Sequence, residues 1–308
     1  MISKSEFNED EFQSAVYAFY AKFLMNESNY DFHIPTRRKE KDLGYDFGKL
    51  TGIPFYMQFK VVEYHNSTNK KYENDRKLFK YNDQRGFYLF QLHRNAKTKT
   101  HIQHNALYNL NVNNFYVSPK FVKKNRFYNF LDCCTNSFYC NHYTNNYRRI
   151  IFNNNKINHS FYYPFLDDVI YIKPHNIITD TSLHSYTYND FDEVAFHSEP
   201  IKINERYDTF EILNKTLNNS AEYEQKMSEI INNMRNVIIE TFSKSELKLD
   251  KYYFSNFCEL NDIEFKHEKS EIKDYFDSLE ANPYNSFLLS LNILNDYFDI
   301  KLSLIGLR

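Results

Sequence analysis

Apolar and polar positions along this chain follow two periods, and the switches between them lay out its elements. From Glu9 to Leu24, Phe12, Val16, Phe19, Tyr20 and Phe23 recur every three or four residues. That spacing puts them on one face of an amphipathic helix with acids in its first turn. After a polar break at Asn26 to Asn29, the apolar runs shorten to strand length. They are HIP at His33 to Pro35, LGYDFGKL at Leu43 to Leu50, and PFYMQFKVVEY at Pro54 to Tyr64. TGIP, Thr51 to Pro54, carries turn residues, so the last two runs are predicted as a β-hairpin. A polar, lysine-rich connection leads to Gly86. FYLFQLH, Phe87 to His93, then predicts a strand, Thr98 to Leu110 a helix, and NFYVS, Asn114 to Ser118, a strand stopped by Pro119.

The order helix, strands, hairpin, strand, helix, strand describes a mixed α/β (α+β) fold, one sheet flanked by helices. From Lys120 to Pro200 the pattern is irregular, with strand candidates at Arg149 to Phe152, Ser160 to Phe165 and Val169 to Ile172. Glu222 to Phe242 predicts a long helix through Met227, Ile230, Ile231, Met234, Val237, Ile238 and Phe242. Phe287 to Phe298 predicts another, followed by the strand-like DIKLSLIGL. No internal repeat or low-complexity linker marks a boundary. The expected division is soft: residues 1–135, then a mixed C-terminal extension, 136–308, for substrate recognition, oligomerisation or partner binding.

Composition changes this picture little. Of 308 residues, 42% are hydrophobic and 25% charged, as in ordinary globular proteins. The 27 Tyr and 29 Phe, with no Trp and abundant Asn, read as the codon usage of an AT-rich genome rather than a base-stacking surface. A net charge of −2 argues against nonspecific coating of nucleic acid, yet leaves room for an enzyme that grips a phosphodiester in one local cleft. Four Cys without a CxxC spacing, an acidic and polar opening, and no apolar run near the ~20 residues of a membrane span predict a reduced, cytoplasmic protein.

The chemistry concentrates between Gly44 and Lys60. Side chains alternate along a strand, so Gln58 and Lys60 share one face of YMQFKV while Met57, Phe59 and Val61 share the other. An ammonium in so apolar a strand calls for an anion, because burying it unpaired is costly. Asp46, in the preceding apolar run, is the nearest candidate. An ordinary cross-strand ion pair at a sheet rim is the alternative reading of the same residues.

Asp46 followed twelve positions later by Gln58-Phe59-Lys60, behind an amphipathic helix and before a helix–strand unit, resembles the PD-(D/E)XK, restriction-endonuclease-like nuclease superfamily over about the first 120 residues, in its Mrr-like QxK form. The resemblance implies Asp46 and Gln58 as ligands of Mg²⁺ (or Mn²⁺), the Phe59 carbonyl completing the sphere, and Lys60 positioning or deprotonating the attacking water. It also implies a helper acid on the first helix, with Glu11 the expected residue and Glu40 the alternative. No Pro stands directly before Asp46, where Gly44-Tyr45 is found, and Gln58 stands where Glu is commoner. The neutral amide lowers the negative charge offered to a hard cation, so a helper acid is needed. The implied function is a metal-dependent nuclease, endonuclease before exonuclease, acting on DNA before RNA. Its implied setting is bacterial anti-phage defence or restriction, as a homo-oligomer or with a partner protein. The alternative is an inactive nuclease-fold subunit that binds nucleic acid or a partner.

Weaker patterns are read more plainly. Cys133, Cys134, Cys140 and His142 do not match a zinc-finger spacing and are expected to be incidental thiols. His101 and His104 are expected on a solvated helix face. KKYENDRKLFKY, Lys70 to Tyr81, reads equally as a phosphate-contacting segment or a solvated loop. Gln91 is a lesser candidate for the same cleft. Ser137, His184 and Asp180 come with no G-x-S-x-G elbow, so no hydrolase triad is expected. Without a Walker loop or dinucleotide fingerprint, neither ATP nor NAD is expected.

Overall fold

A computed structural model describes residues 2–27, 30–33, 51–66, 70–135, 168–198, 200–245, 247–261, 263, 271–279 and 282–307. The fold is α+β, built on the strand that carries Gln58. That strand, β3 (Thr51–Phe59), is buried at every position after Thr51. A strand paired on both edges and covered on both faces is apolar at most of its positions. Its parallel neighbour is β6 (Asn114–Pro119) and its antiparallel neighbour β13 (Lys301–Leu307). β7 (Val169–Ile172) and β11 (Arg206–Asp208) continue beyond β6, and β2 (Tyr30–His33) flanks β13. β12 (Gln225–Lys226) pairs with the start of β3.

A second sheet, antiparallel throughout, runs in the order β1 (Ile2–Lys4), β4 (Glu63–His65), β5 (Phe87–Gln91), β8 (Ser185–Tyr188), β9 (Val194–His197) and β10 (Ile201–Ile203). Two sheets therefore stand where one was expected, because β4 and β5 pair with each other and with β1 and β8 instead of extending the sheet of β3. Strands from either side of residue 135 pair within both sheets.

The alternation along β3 divides the interior. Ile53, Phe55, Met57 and Phe59 enter a core with α1 (Glu9–Glu27), α4 (Lys124–Thr135) and α5 (Thr209–Asn218). Phe12 of α1 is fully buried there, its ring against Phe7, Phe59, Phe121 and Phe130. Burying a ring of this size contributes roughly 1.5–3 kcal/mol. Tyr56 faces the opposite way, into a core shared by both sheets and by α3 (Ile102–Asn109), α7 (Met227–Ser243), α8 (Lys251–Leu260), α9 (Ile272–Asp277) and α10 (Pro283–Phe298). The buried face of α7 is the predicted one, from Met227 to Phe242.

Several expectations are corrected. TGIP is extended strand, not a hairpin turn. Tyr56 donates its N–H to the Asn113 carbonyl at 2.9 Å, so Pro54, two residues earlier, turns its ring nitrogen to the same edge. Pairing with β6 begins only at Tyr56, and the missing N–H costs no ladder bond. The other arm of that hairpin, Leu43 to Leu50, lies outside the described residues, as do the strands expected at Arg149 to Phe152 and Ser160 to Phe165. The lysine-rich connection contains a helix, α2 (Lys70–Leu78), held by Arg76, which is fully buried. The long C-terminal helix begins at Met227 rather than Glu222. Its expected first turn is divided between the short α6 (Ser220–Tyr223) and β12, whose pairing with Thr51 and Gly52 holds it extended.

Candidate functional site

Lys60 follows directly on β3, and its backbone is pinned there. Its N–H donates to the Val117 carbonyl at 3.0 Å, and its own carbonyl accepts from Ser118 Oγ at 2.9 Å. The ammonium is almost buried and meets two carboxylates. Asp299 Oδ2 lies at 3.2 Å and both oxygens of Glu9 at 3.4 Å. Glu9 opens α1, and Asp299 is the left-handed residue (φ 54°) between α10 and β13. Three segments far apart in sequence therefore supply one charge cluster.

Gln58, one strand repeat earlier, is buried. Its Nε2 donates to Gln103 Oε1 at 3.1 Å and to the Phe298 carbonyl at 3.3 Å. With both amide hydrogens engaged, Oε1 is the polar atom left to meet another ligand. The predicted facing holds, since Met57 and Phe59 go into one core while Gln58 and Lys60 point to the end of α10. The Phe59 ring packs edge-on against Phe12 and Tyr17.

The acid of the first helix that reaches Lys60 is Glu9. Glu11 closes a capping box instead: its carboxylate accepts from the Asn8 N–H at 2.9 Å, and its own N–H donates to Asn8 Oδ1 at 2.8 Å. Residues two apart on a helix do not share a face, so the two acids cannot both turn to Lys60. Asn8→Ala, which removes the N-cap acceptor of this box, is expected to lower stability by about 0.5–2 kcal/mol, read from the urea midpoint.

Desolvation raises the Glu9 carboxyl above its ordinary value and the charge of Asp299 raises it further, against the pull of Lys60. Asp299 also meets a second ammonium, Lys301 Nζ, 3.7 Å from its Oδ1, so two lysines face the two acids. Among the described residues no group of three or more His, Cys, Asp or Glu is placed to hold a metal ion. Asp46 and Glu40 lie outside those residues. No family model, curated protein or solved structure matches the chain.

Other expected contributors stand elsewhere. Gln91 ends β5, in the other sheet and exposed, because β5 pairs with β4 and β8. His101 and His104 are buried rather than solvated, since α3 is enclosed by the larger core and the loop at 176–182. Arg76 of the basic segment turns inward. Cys133 and Cys134 fall in α4, while Cys140 and His142 lie outside the described residues. A cleft of about 330 Å³, lined by Tyr108, Lys173, His175, Lys202 and Glu205 among others, shares no residue with the Lys60 cluster. Among the described residues no helix is long and apolar enough to cross a membrane.

The contribution of Glu9 was partly legible in the sequence, in the acidic first turn of α1. Asp299 had no signal: it lies 239 residues from Lys60, and only the pairing of β13 with β3 brings it near.

Proposed function

We propose that this protein is a metal-dependent phosphodiesterase acting on nucleic acid, DNA before RNA, with Lys60, Gln58, Glu9 and Asp299 in its centre and Asp46 as a further ligand. The observation that carries the reading is the convergence of two carboxylates on a buried lysine beside Gln58. Glu9, Asp299 and the Gln58 amide oxygen would hold Mg²⁺ or Mn²⁺, an all-oxygen set suited to a hard cation. A cation held by these residues would supply Lewis-acid chemistry to the phosphate and to the attacking water. Lys60 places its side-chain nitrogen beside the site, where it meets charge developing on the phosphate oxygens. Glu9, with its raised carboxyl, accepts a proton from the attacking water. A role in bacterial anti-phage defence rests on the QxK resemblance.

A second reading is favoured by one observation: Lys60 ties α1, β3 and the α10–β13 junction together, as a purely structural ion cluster would. In that case the chain is an inactive nuclease-fold subunit.

The assay is plasmid DNA and RNA incubated with the purified chain and Mg²⁺, Mn²⁺ or chelator. Divalent-dependent cleavage is expected, falling about a hundredfold or more in Lys60→Ala and also reduced in Glu9→Gln, with circular dichroism confirming the fold. Cleavage unchanged in both variants sinks the assignment. Absence of both cleavage and calorimetric Mg²⁺ binding selects the structural reading.

A further inference from the structure

Away from Lys60, at the end of β9 in the antiparallel sheet, Ser198 holds a backbone conformation few residues adopt. Its φ is 94°, a region that disfavours any residue with a Cβ. Such strain persists only where surrounding structure enforces it, and it gathers at functional sites. The side chain is exposed, and among the described residues its one hydrogen-bond partner is His184 Nδ1, at 2.6 Å. On the other side of that ring, Nε2 lies 2.9 Å from Asp180 Oδ1. The ring is nearly buried, stacked on Phe196 with centroids 5.0 Å apart and met edge-on by His101 at 4.7 Å. Its orientation is therefore set by packing.

The protons can be placed from chemistry alone. Desolvation works to raise the Asp180 carboxyl, but hydrogen bonds from the Ser182 N–H, the Ser182 hydroxyl and His184 bring it down to about 2. The carboxylate is ionised near neutrality and only accepts. A proton on His184 Nε2 faces it, and in that tautomer Nδ1 offers its lone pair to the Ser198 hydroxyl. A hydroxyl on one imidazole nitrogen, with a carboxylate on the other, is the arrangement that activates a serine.

The same molecule contains a structural counterpart. Thr187 Oγ1 lies 2.7 Å from His197 Nε2, and His197 Nδ1 is 2.7 Å from Asp75. Thr187 is fully buried and its hydroxyl already accepts from Arg76 at 2.8 Å. No substrate reaches it. Ser198 differs in the two respects that matter, access and an unshared hydroxyl.

We propose that Ser198, His184 and Asp180 form a second hydrolytic centre, independent of Lys60, with Ser198 as the nucleophile toward uncharged carboxylic esters. The carboxylate of Asp180, 44% exposed, repels anionic groups such as phosphodiesters. Leu183, directly before His184 and also exposed, offers an apolar surface to an acyl group. Ser198 Oγ attacks the carbonyl carbon while its proton passes to His184 Nδ1. The ester C–O bond then breaks, and the alcohol leaves with that proton. Water next attacks the acyl-serine, giving its proton to Nδ1, and Ser198 Oγ takes it back as the carboxylic acid departs.

The intact chain treated with a fluorophosphonate is expected to carry one adduct, on the Ser198 peptide by mass spectrometry, and to hydrolyse p-nitrophenyl acetate. Both are lost in Ser198→Ala. In Asp180→Asn, an exposed change that leaves the core intact, both slow by about a hundredfold, and His184→Gln, where it folds, behaves alike. Lys60→Ala retains the adduct. A folded chain with no adduct on Ser198, or one labelled equally fast in Asp180→Asn, overturns the proposal and leaves the three residues as a loop clamp.

Discussion

Arg76→Ala is expected to cost about 3–5 kcal/mol of folding stability, a large share of what a domain of this kind possesses. The guanidinium is fully buried, and each of its three nitrogens is engaged. Nε and Nη2 grip Asp83 at 2.6 and 2.7 Å, Nη1 donates to Thr187 Oγ1 at 2.8 Å, and Nη2 also reaches the Glu193 carbonyl at 3.1 Å. Tyr81 and Phe87 present their ring faces at 4.8 and 5.3 Å. The larger part of the cost comes from the charge left stranded. Among the described residues, the Asp83 carboxylate keeps only the Asn189 amide, at 3.1 Å, in a site with little water. Arg76→Lys retains the charge but not the planar fork, and should fall between wild type and alanine. Urea unfolding measures the series. A loss below about 1 kcal/mol for the alanine variant would show that the network is not formed.

Acid is expected to weaken the fold through His104. Burial, with smaller contributions from His175, His101 and His184, lowers its imidazole to about 3, although a hydrogen bond to the Asn176 carbonyl opposes the shift. That carbonyl only accepts, so Nε2 carries the proton at 2.7 Å, and Nδ1 accepts from the Tyr116 hydroxyl at 2.8 Å. A second proton has to displace the Tyr116 donor in a dry site. In the unfolded chain the same group titrates near 6.5. Between those values the unfolded state binds more protons, so this stability is complete above pH 6.5 and is lost progressively as pH falls toward 3. From pH 7 to pH 4 the loss from this one residue is about 3 kcal/mol. His175, lowered to about 4 by burial, adds in the same direction. Urea unfolding at the two pH values checks it. His104→Gln should remove most of that difference, and an unchanged difference would refute the assignment.

The elements legible in advance share a property. α1, α7, α10, β5, β6, β7 and β13 carry enough apolar side chains, at one period, for burial of a single face to outweigh the alternatives. The facing of Gln58 and Lys60 against Met57 and Phe59 is of this kind, because alternation in an extended strand is geometry. α2 carries almost no apolar residues and is held by one buried arginine, which looks from the sequence like a solvated charge. β8 to β11 are three or four residues each and join by pairing, so no periodicity announces them.

The sequence by itself determined that a lysine and an amide lie on one face of a buried strand, and that the lysine needs an anion. Which anion was decided only by the tertiary structure. The helix start at Glu9 and the turn at Asp299 arrive beside Lys60 because α1 packs on one face of the sheet and β13 pairs along the edge of β3. Electrostatic partners are chosen by distance in space, and hydrophobic burial and strand pairing set that distance. A residue 239 positions away can therefore complete a site that the local pattern only opened.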